Sequence, residues 1–448
     1  MPKFTFKLAS LVLVVTLLLN ACKKDPTDPT VSPSKAASTY DAKVATTWMG
    51  ISPLMIKSTA GYTPPVAARA LGYIGTTFYE SVVPGMADHK SLVNQLTSLN
   101  ELPKIDANAE YYWPACANAA MASIHAKLFP TAPKARLDTL ATIKNLLEAD
   151  FKTAGVKDDV LLRSNEFGEK IAQAIFDWSA KDLIGHEGYK KNFPSTYTPP
   201  VGPAFWVPTD ANKIPMQPYW GFVRSFVPGN VDNVQPNIAP KFSTDSTSLM
   251  FKSALEVYTT SKALTAEQKI VALYWADGGG TITPSGHSLM LARQMILDKD
   301  DKLDLAAETF AKVGIAVGDA FIACWKCKYQ YSLLRPVSYI QKYIDPTWTS
   351  LIKTPPFPEH SSGHSTQSAA TATVLTSMYG DNTPFVDKTN SARTDIDGTP
   401  RAFKSFTDLA REAAISRLYG GIHYMSGNEV GLMMGSNVGA NVLKLKWK

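Results

Sequence analysis

Between about Tyr40 and Leu445, apolar and small residues recur three and four apart, the spacing that gathers them on one face of a helix. The pattern runs through residues 66–80, 115–128, 134–152 and 159–181. It returns at 248–260, 266–276, 288–298, 302–325, 365–379, 405–419 and 429–445. Alternation with a strand period is scarce. A chain so patterned is restricted to an all-α fold. Its last segment is rich in Gly and Asn, and its Gly and Ala would permit helices to approach closely.

One stretch breaks the period. Residues 186–240 carry many prolines together with Tyr189, Phe193, Tyr197, Phe205, Trp206, Trp220 and Phe226. An irregular segment this long inside a compact domain reads as a lid or a wrapping segment; linkers rarely hold so many aromatics. The 448 residues suffice for one large domain or two ordinary ones. We divide them into an N-terminal helical region, 40–247, with the lid-like segment 186–240, and a C-terminal region, 248–448. No tandem repeat is visible. The net charge of +6 is modest and forms no basic stripe or arm, which argues against nucleic-acid binding. No run of about 20 apolar residues follows the N-terminus, so no membrane span is expected.

The N-terminus reads as a targeting signal. Lys3 and Lys7 precede an apolar run, 8–19, and Leu19-Asn20-Ala21-Cys22 ends it like a bacterial lipobox. Residues 1–21 would be removed and Cys22 lipidated. Residues 22–39, rich in Pro, Thr, Ser and Lys, would form a flexible tether. The expectation is an exported lipoprotein, periplasmic or anchored at the outer membrane or cell surface, touching membrane through its lipid alone. An ordinary secretory signal with an incidental Cys is the alternative. The other cysteines are Cys116, Cys324 and Cys327. Cys324 and Cys327 have no second pair to complete a zinc site. They read as helix-core residues, with an i,i+3 disulfide as the alternative in an oxidising compartment.

Three fragments in the last third carry chemistry: Lys328-x6-Arg335-Pro336, Ser362-Gly363-His364 and Ser416-Arg417-x5-His423. Together they supply two Arg, one Lys, a Ser hydroxyl, a Gly amide and two His, an inventory suited to a tetrahedral or trigonal-bipyramidal oxyanion. Arg binds two oxygens through a planar fork. The step from Lys328 to Arg335 is near two helical turns, which would aim both from one helix face, with Pro336 breaking the helix after them. Ser362-Gly363-His364 precedes an apolar helical run and so lies at a helix N-terminus, which favours anions. Gly420 and Gly421 would turn His423 inwards.

These fragments, in this order, resemble the signature of the vanadium-dependent haloperoxidase and type 2 phosphatidic acid phosphatase superfamily. The departure is Ser361, where the signature has Pro, and a looser turn is expected there. Weaker likeness to the bacterial haloperoxidase branch extends through the segments near Arg69 and Trp206. The fold then expected is all-α, with two four-helix-bundle-like halves and a long irregular Pro/aromatic segment. The resemblance implies that Lys328, Arg335 and Arg417 bind oxyanion oxygens, aided by Ser362 and the Gly363 amide. His423 would be the axial group: a vanadium ligand in a peroxidase, a nucleophile in a phosphatase. His364 would be the general acid-base.

Pro284-Ser285-Gly286-His287 spells the second fragment with its proline but lies before Lys328, out of order. We read Trp275, Asp277 and His287 as pocket-wall or supporting residues, or as a structural turn. Trp325, Phe357 and His360 flank the signature and are candidates for the halide side of the pocket. His89, His125 and His186 are expected to be structural or on the surface. Trp325 and Phe357 favour a haloperoxidase that uses vanadate, hydrogen peroxide and a halide, iodide or bromide. The other reading is a phosphomonoesterase, with a phosphoester substrate, a phospho-histidine and no cofactor. The sequence does not fix an oligomeric state.

Overall fold

The computed structural model describes residues 34–448 except 210, 212, 238 and 239. The signal segment, Cys22 and most of the tether lie outside the described residues. The described chain is all-α with one two-stranded hairpin. The N-terminal half contains α1 (Lys43–Ser58), α2 (Pro64–Val82), α3 (Trp113–Leu128), α4 (Lys134–Thr153) and α5 (Asp158–Ala180). The C-terminal half contains α6 (Leu249–Lys262), α7 (Ala266–Tyr274), α8 (Thr283–Asp298), α9 (Leu303–Tyr331), α10 (Pro336–Tyr343), α11 (Gly363–Tyr379), α12 (Phe406–Tyr419) and α13 (Met425–Leu443).

Helix starts follow local chemistry. Proline occupies the first turn of α2, α3, α8 and α10, where no amide donor is needed. Ser248, Ser362 and Ser405 cap α6, α11 and α12, and Thr265 with Gln268 closes a capping box on α7. Two elements escape the periodicity. The hairpin pairs β1 (Phe385–Asp387) with β2 (Arg401–Phe403), and three residues are too few to show alternation. Pro336, expected to break a helix, instead starts α10.

The organising element is α9, whose 29 residues are buried over nearly their whole length. α2 packs on one side of it and α11 on another, and α13 covers α11. Glycines set the closest crossings. A Cβ on Gly75 of α2 would lie 2.7 Å from the Phe310 carbonyl oxygen, and one on Gly314 of α9 would lie 2.6 Å from that of Leu71. The segment 186–240 wraps α9. Phe226 and Val227 donate their amides to Asp319 at 2.6 and 3.0 Å, and Asn230 adds a third bond at 2.9 Å. Trp206 donates its amide to the Ser332 carbonyl at 2.7 Å. Among the described residues no helix is long and apolar enough to cross a membrane.

Candidate oxyanion site

The three fragments meet beside one cavity of about 370 Å³. Lys328 lies in the last turn of α9. Ser332, at φ 46°, ends that helix, and the chain runs on to Arg335 at the N-cap of α10. The two cations therefore do not share one continuous helix face, as their spacing suggested. A left-handed residue after α9 and a proline opening α10 bring them together instead. Ser362 caps α11, placing Gly363 and His364 in its first turn, where amides have no partner within the helix. Arg417 lies in the last turn of α12. Gly421, at φ 75°, reverses the chain so that His423 precedes α13.

Gly363, His364, Arg417 and His423 line the cavity, with Trp325, Phe357 and Asp277. Arg335 is fully buried behind them. It donates Nε–H to the Phe357 carbonyl at 2.8 Å, and Nη1–H to the Ile422 carbonyl at 2.8 Å and to His423 Nε2 at 3.1 Å. Its Nη2 is buried with no partner, and so is Nε2 of His364. Two such atoms cost about 1–3 kcal/mol each when left unpaired. A donor on a guanidinium and a ring nitrogen able to donate or accept suit a protonated oxyanion such as vanadate or phosphate. The residues present thus fit the group that the signature implies.

Lys328 behaves differently from its expected role. Its ammonium donates to the carbonyls of Pro358, Glu359 and Ser361 at 3.0, 3.0 and 2.5 Å. All three donors hold the loop before α11, so the lysine acts on the cage as a buried charge beneath that loop. Burial, with Arg335 beside it, pushes its pKa down to about 8. Burial likewise lowers Arg335 and Arg417 to about 10. Both histidines are held well below the usual imidazole range, first by burial and then by the neighbouring guanidinium groups.

The sequence reading missed Glu359. Nδ1–H of His423 donates to Glu359 Oε1 at 2.7 Å, and the Tyr424 amide donates to the same oxygen at 3.2 Å. That bond fixes the proton on Nδ1 and turns the Nε2 lone pair towards the cage. Burial pushes the Glu359 carboxyl up to about 7, against the pull of Lys328 and Arg335. A signal existed: an axial histidine needs an acceptor for its second nitrogen, and Glu359 is the acid directly beside the second fragment.

The remaining candidates sort by position. The rings of Trp325 and Phe357 lie 5.0 Å apart on the cavity wall. His360, grouped with them on sequence, is fully buried behind the loop, edge-on to Tyr331 at 5.6 Å. The out-of-order Pro-Ser-Gly-His forms the first turn of α8. His287 donates Nδ1–H to Asp277 at 3.0 Å and Nε2–H to Asp387 at 2.8 Å, and it stacks on Trp275 at 4.7 Å. Burial opposes its charge, but the two carboxylates outweigh burial and raise it to about 10. This imidazolium therefore braces Asp277 at the cavity wall. His125 is a buried structural residue, bonded to Ser52 and to the Met121 carbonyl. Cys116, Cys324 and Cys327 are buried and free.

Comparison with known proteins agrees with this geometry. A family model described as the VCPO second helical-bundle domain matches residues 308–447. Vanadium chloroperoxidase of Curvularia inaequalis is 27% identical over 35% of this chain and 36% of that protein. The match thus spans about a third of that relative's length. The crystal structure of the first bacterial vanadium-dependent iodoperoxidase superposes with a TM-score of 0.81 at 29% identity, covering 90% of this chain and 96% of that one. A holo-type bacterial vanadium-dependent chloroperoxidase shares the fold at a TM-score of 0.63 and 15% identity, over 85% and 91% of the two chains. With the three fragments in order around one buried cage, the chain is similar in sequence and fold to vanadium-dependent haloperoxidases, bacterial ones among them.

Proposed function

We propose that the protein is a vanadate-dependent haloperoxidase that oxidises iodide or bromide with hydrogen peroxide to hypohalous acid. The observation that carries this reading is the pairing of His423, fixed by Glu359 with its Nε2 towards the cage, with the unpartnered buried donors of Arg335 and His364. The extended likeness to a solved iodoperoxidase supports the halide assignment. His423 would ligate the metal through Nε2. Arg335, Arg417 and the first amides of α11 would hold the oxyanion oxygens, and Ser362 would add its hydroxyl. Vanadate held there would supply Lewis-acid chemistry that activates hydrogen peroxide towards a halide. The buried cations Lys328, Arg335 and Arg417 would stabilise negative charge at the oxyanion position. His364 Nε2, neutral and unpaired, is placed to take and return the proton. Trp325 and Phe357 would form the halide side. Export as a lipoprotein through Cys22 completes the proposal; oxidant chemistry would then run outside the cytoplasm.

The test is one purified sample with two assays: triiodide formation with vanadate, peroxide and iodide, and p-nitrophenyl phosphate hydrolysis without vanadate. We expect halide oxidation that His423→Ala abolishes. Brisk hydrolysis with no halide oxidation at any pH would replace this reading with the phosphomonoesterase.

A further inference from the structure

The wrapping segment presents an apolar outer face. Residues 181–193 and 217–224 run side by side as two loops, tied at three points. The Arg224 amide donates to Asp182 Oδ1 at 3.5 Å, the Gln217 side chain donates to the Gly188 carbonyl at 2.8 Å, and the Gln217 amide donates to the Asn192 carbonyl at 2.7 Å. Between and beside these ties, Leu183, Ile184, Phe193, Tyr219 and Phe222 are all exposed, Leu183 to 82% and Phe222 to 69%. Exposed apolar residues scattered singly are ordinary, but five gathered on two paired loops mark an interaction surface.

Lysines accompany them. Lys181, Lys190 and Lys191 are exposed, and Lys191 folds its ammonium onto the Leu183 and His186 carbonyls at 3.1 and 3.0 Å. The two acids of these loops are spent: Asp182 is buried on Arg69 at 3.1 Å, and Glu187 pairs with Lys190 at 2.7 Å. The face is therefore apolar and cationic together. A second copy of the chain suits it poorly. A two-fold contact would set the same lysines against each other, and lysine is depleted from protein interfaces. Leu, Phe and Tyr among lysines is instead the composition that settles into the headgroup layer of an anionic bilayer. The lipid anchor proposed at Cys22 has the reach. The Tyr111 amide donates to Ser34 Oγ at 2.8 Å, and the Tyr111 ring lies edge-on to Phe167 of α5 at 5.8 Å. From Phe167 to the end of α5, where the first loop starts, is about 20 Å. The chain from Cys22 to Ser34 is long enough to cover about 40 Å.

We propose that this face docks onto an anionic phospholipid surface, with Leu183, Tyr219 and Phe222 entering the headgroup layer and the lysines meeting lipid phosphates. The inference rests on the lipoprotein reading for the anchor but not for the binding. It replaces membrane contact through the lipid alone with contact at two points, and the second point fixes how the body is oriented. Met216, one residue before the second loop, lines the oxyanion cavity, so docking sets that cavity beside the bilayer.

Vesicle flotation of the mature chain carrying Cys22→Ser, which cannot be lipidated there, reads the face by itself. Binding to phosphatidylglycerol vesicles is expected, roughly tenfold weaker to phosphatidylcholine vesicles and weakened by salt. Leu183→Glu combined with Phe222→Glu should abolish it and leave the melting temperature unchanged, since both side chains are exposed. Lys181→Gln and Lys190→Gln should each weaken it roughly fivefold. Absent binding to phosphatidylglycerol vesicles, or binding that the double variant keeps, overturns the docking face. A dimer in sedimentation equilibrium that the double variant dissociates also overturns it and gives the face to a second copy. Mass spectrometry of the native protein separates anchor from face. An unmodified Cys22 with vesicle binding intact would defeat the lipoprotein reading alone; a lipidated Cys22 with no vesicle binding by the Cys22→Ser chain would defeat the face alone.

Discussion

At the scale of single residues, the site depends on groups that hold other groups. Glu359 is buried, and its carboxylate is hydrogen-bonded to the cage through His423 Nδ1–H. Glu359→Gln keeps an acceptor of similar shape but removes the charge behind Nδ1–H. Supporting bonds of this kind are worth about 10–100-fold in metal affinity. We expect a loss of that size in vanadate affinity, read by calorimetry, with the melting temperature of the vanadate-free protein little changed. His287 gives a pH-dependent prediction. Its folded pKa is raised to about 10, above the ordinary value of about 6.5. Its contribution to stability is therefore complete below that ordinary value and is lost as pH rises through about 10. Asp387 is held well below the carboxylate range because the His287 charge outweighs burial, so its contribution falls away only in acid. The melting-temperature gap between the native protein and His287→Gln should be wide near pH 6 and should close towards pH 10. A gap independent of pH would mean that His287 is not held as an imidazolium. These roles also mark what sequence could not supply. The cage residues were legible because each fragment keeps its own spacing. Glu359 meets His423 across 64 residues, and His287 meets Asp387 across 100, pairings that only the fold creates.

At the scale of elements, glycine spacing and one carboxylate set the distances on which the cage depends. Gly427, Gly431, Gly435 and Gly439 recur four apart and form a single stripe on α13 against α11. A Cβ on Gly435 would collide with the Thr366 carbonyl, and one on Gly427 with the Glu359 carboxylate. The composition of 429–445 announced close packing, but not that Gly427, just before it, abuts the group orienting His423. Gly435→Val should therefore cost about 1–3 kcal/mol or more by overpacking, measured by urea unfolding, while Ser436→Ala on the exposed side should stay within about 0.5 kcal/mol. Asp319 is the second device. Removing it in Asp319→Ala strands two buried amides and the Asn230 side chain, each a penalty of about 1–3 kcal/mol. The expected result is a loss of several kcal/mol, with amide exchange around residues 226–230 accelerated beyond that of the helices. Helices were read from period because period is local. The wrapping path of 186–240 was not, because its aromatics pack in no repeating register: Phe226 on Tyr73 and Trp178, and Tyr197 on both Tyr219 and Tyr329 of α9.

At the scale of the molecule, the three cage fragments all belong to the C-terminal half, yet the scaffold that positions them does not. α9 carries Lys328 and Trp325, and the longest face of that helix is buried against α2 of the N-terminal half. The crossing is closed by backbone on backbone: Gly75 meets the Phe310 carbonyl and Gly314 meets that of Leu71. Phe226 from the wrapping segment fills the gap beside Gly72 and Gly318. One hydrophobic cluster runs from Ala37 to Trp447 and takes residues from both halves. Cutting the chain at 247 would expose this face of α9, an apolar patch far larger than isolated soluble domains tolerate, and would also strand the buried Asp319. Residues 248–448 produced alone should therefore aggregate or give a state with helical far-ultraviolet dichroism, no fixed near-ultraviolet signal and no vanadate binding. Co-expression with residues 34–247 should restore a soluble complex, because the seam needs surface complementarity rather than a covalent link at that position. A fragment that folded cooperatively and bound vanadate alone would show that α11, α12 and α13 hold the cage without the N-terminal half, and that the α2–α9 seam contributes nothing to its geometry.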